Sequence, residues 1–164
     1  MKLSVAPSAA AAAATAAAML AAEIATAVKS RGVCSIALSG GQTPWQMLEA
    51  LLNKPVSWAA VHVFQVDERV VPFDDERRNA RRIRELLVRP GGLPAAHFHA
   101  MPVDGAALGR CASDYSETLV NHAGTPSVLD VVQLGLGPDG HTASLVPGDP
   151  LLDLTDAEVG VSGV

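Results

Sequence analysis

Short apolar runs and helical patterns take turns along this chain, and that alternation restricts its fold more than any other feature. Residues 33–38 form an apolar run with β-branched side chains, as in a strand buried on both faces. Residues 44–52 follow as a helix with Trp45, Leu48 and Leu52 on one side. Residues 59–66, with Val61, Val63, Phe64 and Val66, predict a second strand. Residues 79–88, with Ile83, Leu86 and Leu87, predict another helix, and 97–101 a short strand. Residues 106–122 carry Leu108, Ala112, Tyr115 and Leu119 at helical spacing, and 128–134 read as the clearest strand. Strands alternating with helices build parallel βαβ units, so the class is α/β with a mostly parallel sheet and helices on both faces. Ligands of such sheets bind beyond the carboxyl ends of the strands.

Residues 1–28 superficially resemble a secretory signal, with Lys2 ahead of an alanine-rich stretch. Alanine is only weakly apolar but is the best helix former, and Glu23 interrupts the run. Met19, Leu20, Ile24, Ala27 and Val28 predict a buried stripe on a helix capped by Ser8 and stopped at Gly32. The 164 residues fit one domain, 1–164, with no linker or internal repeat. With 49% hydrophobic residues the chain is not disordered. A formal charge of −5 and 4% aromatics argue against a general nucleic-acid binder, whose affinity comes from neutralising phosphates. Cys34 and Cys111 make neither a disulfide framework nor a thiolate zinc site, and read as free thiols in a reducing, cytoplasmic setting.

Three segments that follow expected strands carry the chemistry. Ser39-Gly40-Gly41-Gln42-Thr43-Pro44 leaves a strand and enters a helix, with Thr43 as expected N-cap and Pro44 at the first helical position. Its N–H groups and the positive helix end favour an anion such as phosphate. Asp67-Glu68-Arg69-Val70-Val71-Pro72 puts three charges at a strand end, where Arg69 offers a forked donor to phosphate or carboxylate. The arginines that follow, Arg77, Arg78, Arg81, Arg82, Arg84 and Arg89, predict a solvated helix face beside Asp74, Asp75 and Glu76. Residues 135–145 release the backbone through glycines and present Asp139 and His141, an imidazole suited to taking a proton from water. No nucleophile elbow surrounds Ser144. His97 and His99 alternate along an expected strand with no adjacent third ligand, so no zinc site is expected, and His62 reads as a sheet residue.

Together, the segments at 39–44, 67–72 and 135–145 resemble the 6-phosphogluconolactonases of the glucosamine-6-phosphate isomerase/6-phosphogluconolactonase superfamily, in order and spacing. The resemblance implies a Rossmann-like fold and cytoplasmic hydrolysis of 6-phosphoglucono-δ-lactone in the oxidative pentose phosphate pathway. It assigns His141 as general base, Asp139 as its positioner or a sugar contact, and Asp67 as holding Arg69 or touching substrate. Ser39, Gly40, Gly41, Gln42, Thr43, Arg69, Asn79 and Gly137 would line the substrate pocket. Asn79 matches the Asn of a family Ser-Asn pair whose serine position holds Arg78. No metal or organic cofactor is implied, and the expected partner is a small sugar phosphate lactone, with no nucleic acid and no membrane.

The sister deaminases place a Glu before the Pro-Gly that follows the third segment, where it serves ring opening. Val146 precedes Pro147-Gly148 here and cannot exchange a proton, which disfavours that chemistry. Lactonases of the superfamily continue past the equivalent of Val164, so a C-terminally shortened domain is expected, with a last strand over 158–164. A shortened chain would expose a sheet edge and self-associate, or bind sugar phosphate without turnover.

Overall fold

The computed structural model describes residues 3–104 and 107–163. Helix α1 (Ala9–Arg31) is capped by the Ser8 hydroxyl at the Ala11 N–H and closed by Gly32 in the left-handed region. It is long and apolar enough to cross a membrane, but one stripe of it, Ala13, Ala17, Leu20, Ile24 and Ala27, is buried in the core. Met19, expected in that stripe, is exposed, and Val28 is half-buried at its margin. Ala13 and Ala17 take the inner positions because their small side chains let α1 approach its neighbours closely.

Strand β1 (Cys34–Leu38) is buried throughout. Helix α2 (Gln42–Leu51) follows, then a 3-10 turn (Trp58–Ala60) and strand β2 (Val61–Gln65). Helix α3 (Asn79–Ile83) runs on as a π-helical turn (Arg84–Val88). Strand β3 is only Phe98–His99, helix α4 is Leu108–Ala123, and strand β4 is Val131–Gln133. Ala106, the expected start of the α4 helix, lies outside the described residues. The sheet order is β3-β2-β1-β4. Every pairing is parallel, with Cys34 opposite Val61, Ile36 opposite Val131 and Val63 opposite Phe98.

The strand residues alternate between two cores. Cys34, Ile36, Leu38, Val61 and Val63 join α1, α2 and α3 on one face. Ala37 and Phe64 meet Tyr115 and Leu119 of α4 on the other. Each fully buried aliphatic or aromatic side chain here contributes about 1.5–3 kcal/mol.

Two expected strands are corrected. The run at 128–134 keeps only three paired residues, because β4 is the sheet edge and has a partner on one side alone; Val128, Val132 and Leu134 stay exposed. Residues 158–163 form no strand, since no sheet edge pairs with them, and Val164 lies outside the described residues.

Candidate active site

Strands β2, β1 and β4 are adjacent, so the three segments leaving their carboxyl ends meet, as the sheet rule requires. One carboxylate joins them. Asp67 accepts from the Ser39 hydroxyl at 3.4 Å, from the Ser144 hydroxyl at 2.9 Å and from the Asn79 amide at 3.5 Å. Asn79 also donates to the Asp67 carbonyl at 3.1 Å. Arg69 is held by the Asn79 Oδ1 at 2.5 Å and the Arg77 carbonyl at 3.1 Å. Among the described contacts Asn79, not Asp67, fixes this guanidinium, which corrects one of the two roles expected of Asp67. Gly40 packs so closely on the Asn79 amide that a Cβ there would collide with it.

Gly41, Gln42 and Thr43 form the start of α2. The N-cap is Gly41, not Thr43, because the chain turns there at a φ of 122° and Gln42 is already helical. Pro44 therefore sits within the first turn, where a missing N–H costs no helix bond. Among the described residues no side chain accepts from the first N–H groups of α2.

Beyond β4, the Gly137 N–H donates to the His141 carbonyl at 2.8 Å and the Gly140 N–H to the Gly137 carbonyl at 3.0 Å. This turn sets His141 Nδ1 2.5 Å from the Asp139 carboxylate. An ionised carboxylate only accepts, so Nδ1 carries the hydrogen and Nε2 keeps its lone pair. The His141 backbone N–H and ring both hold the Asp139 carboxyl below its ordinary range. A side chain at Gly137 would run into the imidazole, so this glycine makes room for the ring. Ala143 adopts a φ of 52°, which turns Ser144 toward Asp67.

Glu68 organises the site, a role that three charges at a strand end do not announce. Its side chain is fully buried. It accepts from the backbone N–H groups of Arg69, Asn79 and Ala80, each at 2.8 Å, and from Gln65 Nε2 at 2.9 Å. It thus caps α3 and fixes where Asn79 stands. Arg78, expected on a solvated face, is 3% exposed, with its Nε 3.4 Å from Glu68 and its Nη1 3.1 Å from Asp104. A charged pair following a strand was the only sequence signal, and the eleven-residue gap to α3 hid the contact. Ser144 acts here as a donor to Asp67.

A cavity of about 600 Å³ opens on the α4 side, lined by Asp67, Arg69 and Ser144 at one end and by Tyr115, Leu119 and Val159 further in. His141 does not line it. The polar end belongs to the site, and the remainder continues the apolar core under α4.

The sequence profile described as glucosamine-6-phosphate isomerases/6-phosphogluconolactonase matches residues 7–163. The chain belongs to that family. A 6-phosphogluconolactonase of Synechocystis sp. is 39% identical over 142 residues, covering 84% of this chain and 59% of the relative. One from Pseudomonas aeruginosa is 38% identical over 129 residues, covering 79% and 52%. Among solved structures, a 6-phosphogluconolactonase from Shewanella baltica superposes with a TM-score of 0.80 at 32% identity, over 92% of this chain and 64% of that one. The Trypanosoma brucei enzyme gives 0.81 at 29% identity, over 95% and 67%. This family member thus spans 59% of the Synechocystis relative's length and 52% of the Pseudomonas relative's.

Proposed function

We propose that this chain hydrolyses 6-phospho-D-glucono-1,5-lactone to 6-phosphogluconate. The observation that carries the reading is the Asp139–His141 pair, 39% exposed at the imidazole, with a lone pair on Nε2. His141 takes a proton from water as the oxygen attacks C1. The tetrahedral intermediate collapses by breaking the bond between C1 and the ring oxygen, and the imidazolium returns the proton to that oxygen. Asp139 stabilises the imidazolium and fixes its tautomer. The uncapped start of α2 and the Arg69 guanidinium supply charge for the phosphate. A lactone is an activated ester, so one base and good positioning suffice.

Val146 supports the lactonase over the deaminase, because that position offers no proton carrier. The free Cys34 and Cys111 thiols favour a reducing, cytoplasmic setting. The core packing of α1 favours a protein that stays off membranes. The open β4 edge supports self-association between copies.

The test is hydrolysis of fresh 6-phosphogluconolactone by the purified chain, against the uncatalysed rate. We expect turnover that His141→Ala lowers by about 10²–10⁴-fold. A folded chain that binds 6-phosphogluconate without turnover would replace this reading with a binding protein.

A further inference from the structure

Four of the five histidines gather away from the site described above, on the α4 side of the sheet. His62 comes from β2, His97 from the turn before β3, His99 from β3 and His122 from the last turn of α4. The rings of His62 and His97 stack at 4.3 Å, those of His62 and His99 at 5.2 Å, and those of His99 and His122 lie 4.2 Å apart. His62 is the second residue of β2 (Val61–Gln65) and Asp67 lies two residues past its carboxyl end, so the cluster and the site stand toward opposite ends of this strand.

The nitrogens converge. His62 Nδ1 is 2.9 Å from His99 Nε2. One ring nitrogen from each of His62, His99 and His122 lies within 4.8 Å of the other two. The sequence shows no third ligand beside His97 and His99. The fold brings His99 together with His62 from a different strand and His122 from a helix.

We propose that His62, His99 and His122 bind one divalent transition-metal ion, with a further coordination position open to water. Three imidazoles suit Zn²⁺, Ni²⁺ or Cu²⁺ and not the oxygen-seeking Mg²⁺ or Ca²⁺. A tetrahedral ion with bonds of 2.0–2.1 Å needs nitrogens roughly 3.3 Å apart, a value that the closest pair and the 4.8 Å limit bracket. Small side-chain rotations close the difference.

The protonation states fit. His122 Nδ1 lies 2.8 Å from the Thr118 carbonyl, which can only accept, so Nδ1 carries the hydrogen and Nε2 offers a lone pair. A backbone carbonyl behind a ligating imidazole is the usual orienting partner. His62 Nδ1 and His99 Nε2 share one hydrogen. The hydrogen they share moves to the far nitrogen of one ring.

His122 is exposed, which gives the ion a path from solvent. His97 brings a buried Nδ1 that has no partner among the described residues. Such an ion would tie the end of α4 to β2 and β3, where α4 otherwise contributes only Tyr115 and Leu119 as buried side chains.

The experiment is calorimetric titration of Zn²⁺ into the chelator-treated 164-residue chain, with Co²⁺ absorption and thermal melting alongside. We expect one equivalent, Co²⁺ bands typical of four- or five-coordinate nitrogen ligation, and a rise in melting temperature with Zn²⁺. His122→Ala and His122→Gln should weaken binding by at least about 100-fold, since loss of an orienting partner alone reaches that range. Both sit at an exposed position, so their metal-free melts should match the parent. His141→Ala should bind Zn²⁺ as the parent does. Undiminished binding in both His122 variants, loss of binding in His141→Ala, or no saturable binding at millimolar Zn²⁺ would each overturn the proposal.

Discussion

Gly137 shows how a residue with no side chain shapes chemistry. The space that a Cβ would occupy holds the His141 ring, so Gly137→Ala must displace the imidazole or the turn. We expect that variant to lose most lactonase activity while its urea midpoint changes little, because the turn is exposed and outside both cores. Steady-state kinetics beside a urea titration separates the two effects. His141 and Asp139 were legible in the sequence, because glycines after a strand announce an exposed turn and an acid two residues from a histidine reaches its ring. The partner of Arg69 was not legible, since Asn79 lies ten positions away and its orientation depends on contacts that no local pattern encodes.

At the scale of elements, α3 is short and stands where a buried carboxylate meets its first N–H groups. Glu68→Ala removes that cap and leaves the Arg78 guanidinium buried beside an empty place. Removing one member of a buried pair costs about 3–5 kcal/mol, and we expect a loss of that order in urea unfolding. Glu68→Gln, which keeps an acceptor oxygen, should lose less. The helices were largely legible, α1 nearly to the residue, because an alanine run, Ser8 and Gly32 fix both ends locally. The edge strand was not. An apolar run has the same composition whether it has one neighbour or two, and β4 has one.

At the scale of the whole molecule, the described residues form one sheet with a closed face under three helices and a more open face under α4. On the open face, His99 is held at about 4 by burial and by His122, His62 and His97. An unfolded chain takes up a proton near pH 6.5 that the native His99 refuses until about 4, so stability is present at neutral pH and falls as pH drops through that window. Metal-free melts from pH 7 to pH 4 should show the decline, and His99→Gln should flatten part of it. The exposed Val132 on β4 gives a further expectation: Val132→Lys should reduce concentration-dependent association in sedimentation velocity, since a lysine blocks edge pairing. The class and direction of the sheet were legible from the alternation of elements, but which face stays open depends on which helices lie over it. The division into two cores also makes the protein report on itself optically. Trp45 and Trp58 both sit with the core under α1, α2 and α3, while the single tyrosine, Tyr115, sits under α4. Tryptophan emission therefore follows one side of the sheet and tyrosine absorbance the other, so a chain that loosens α4 first will show two spectroscopic transitions without any added label.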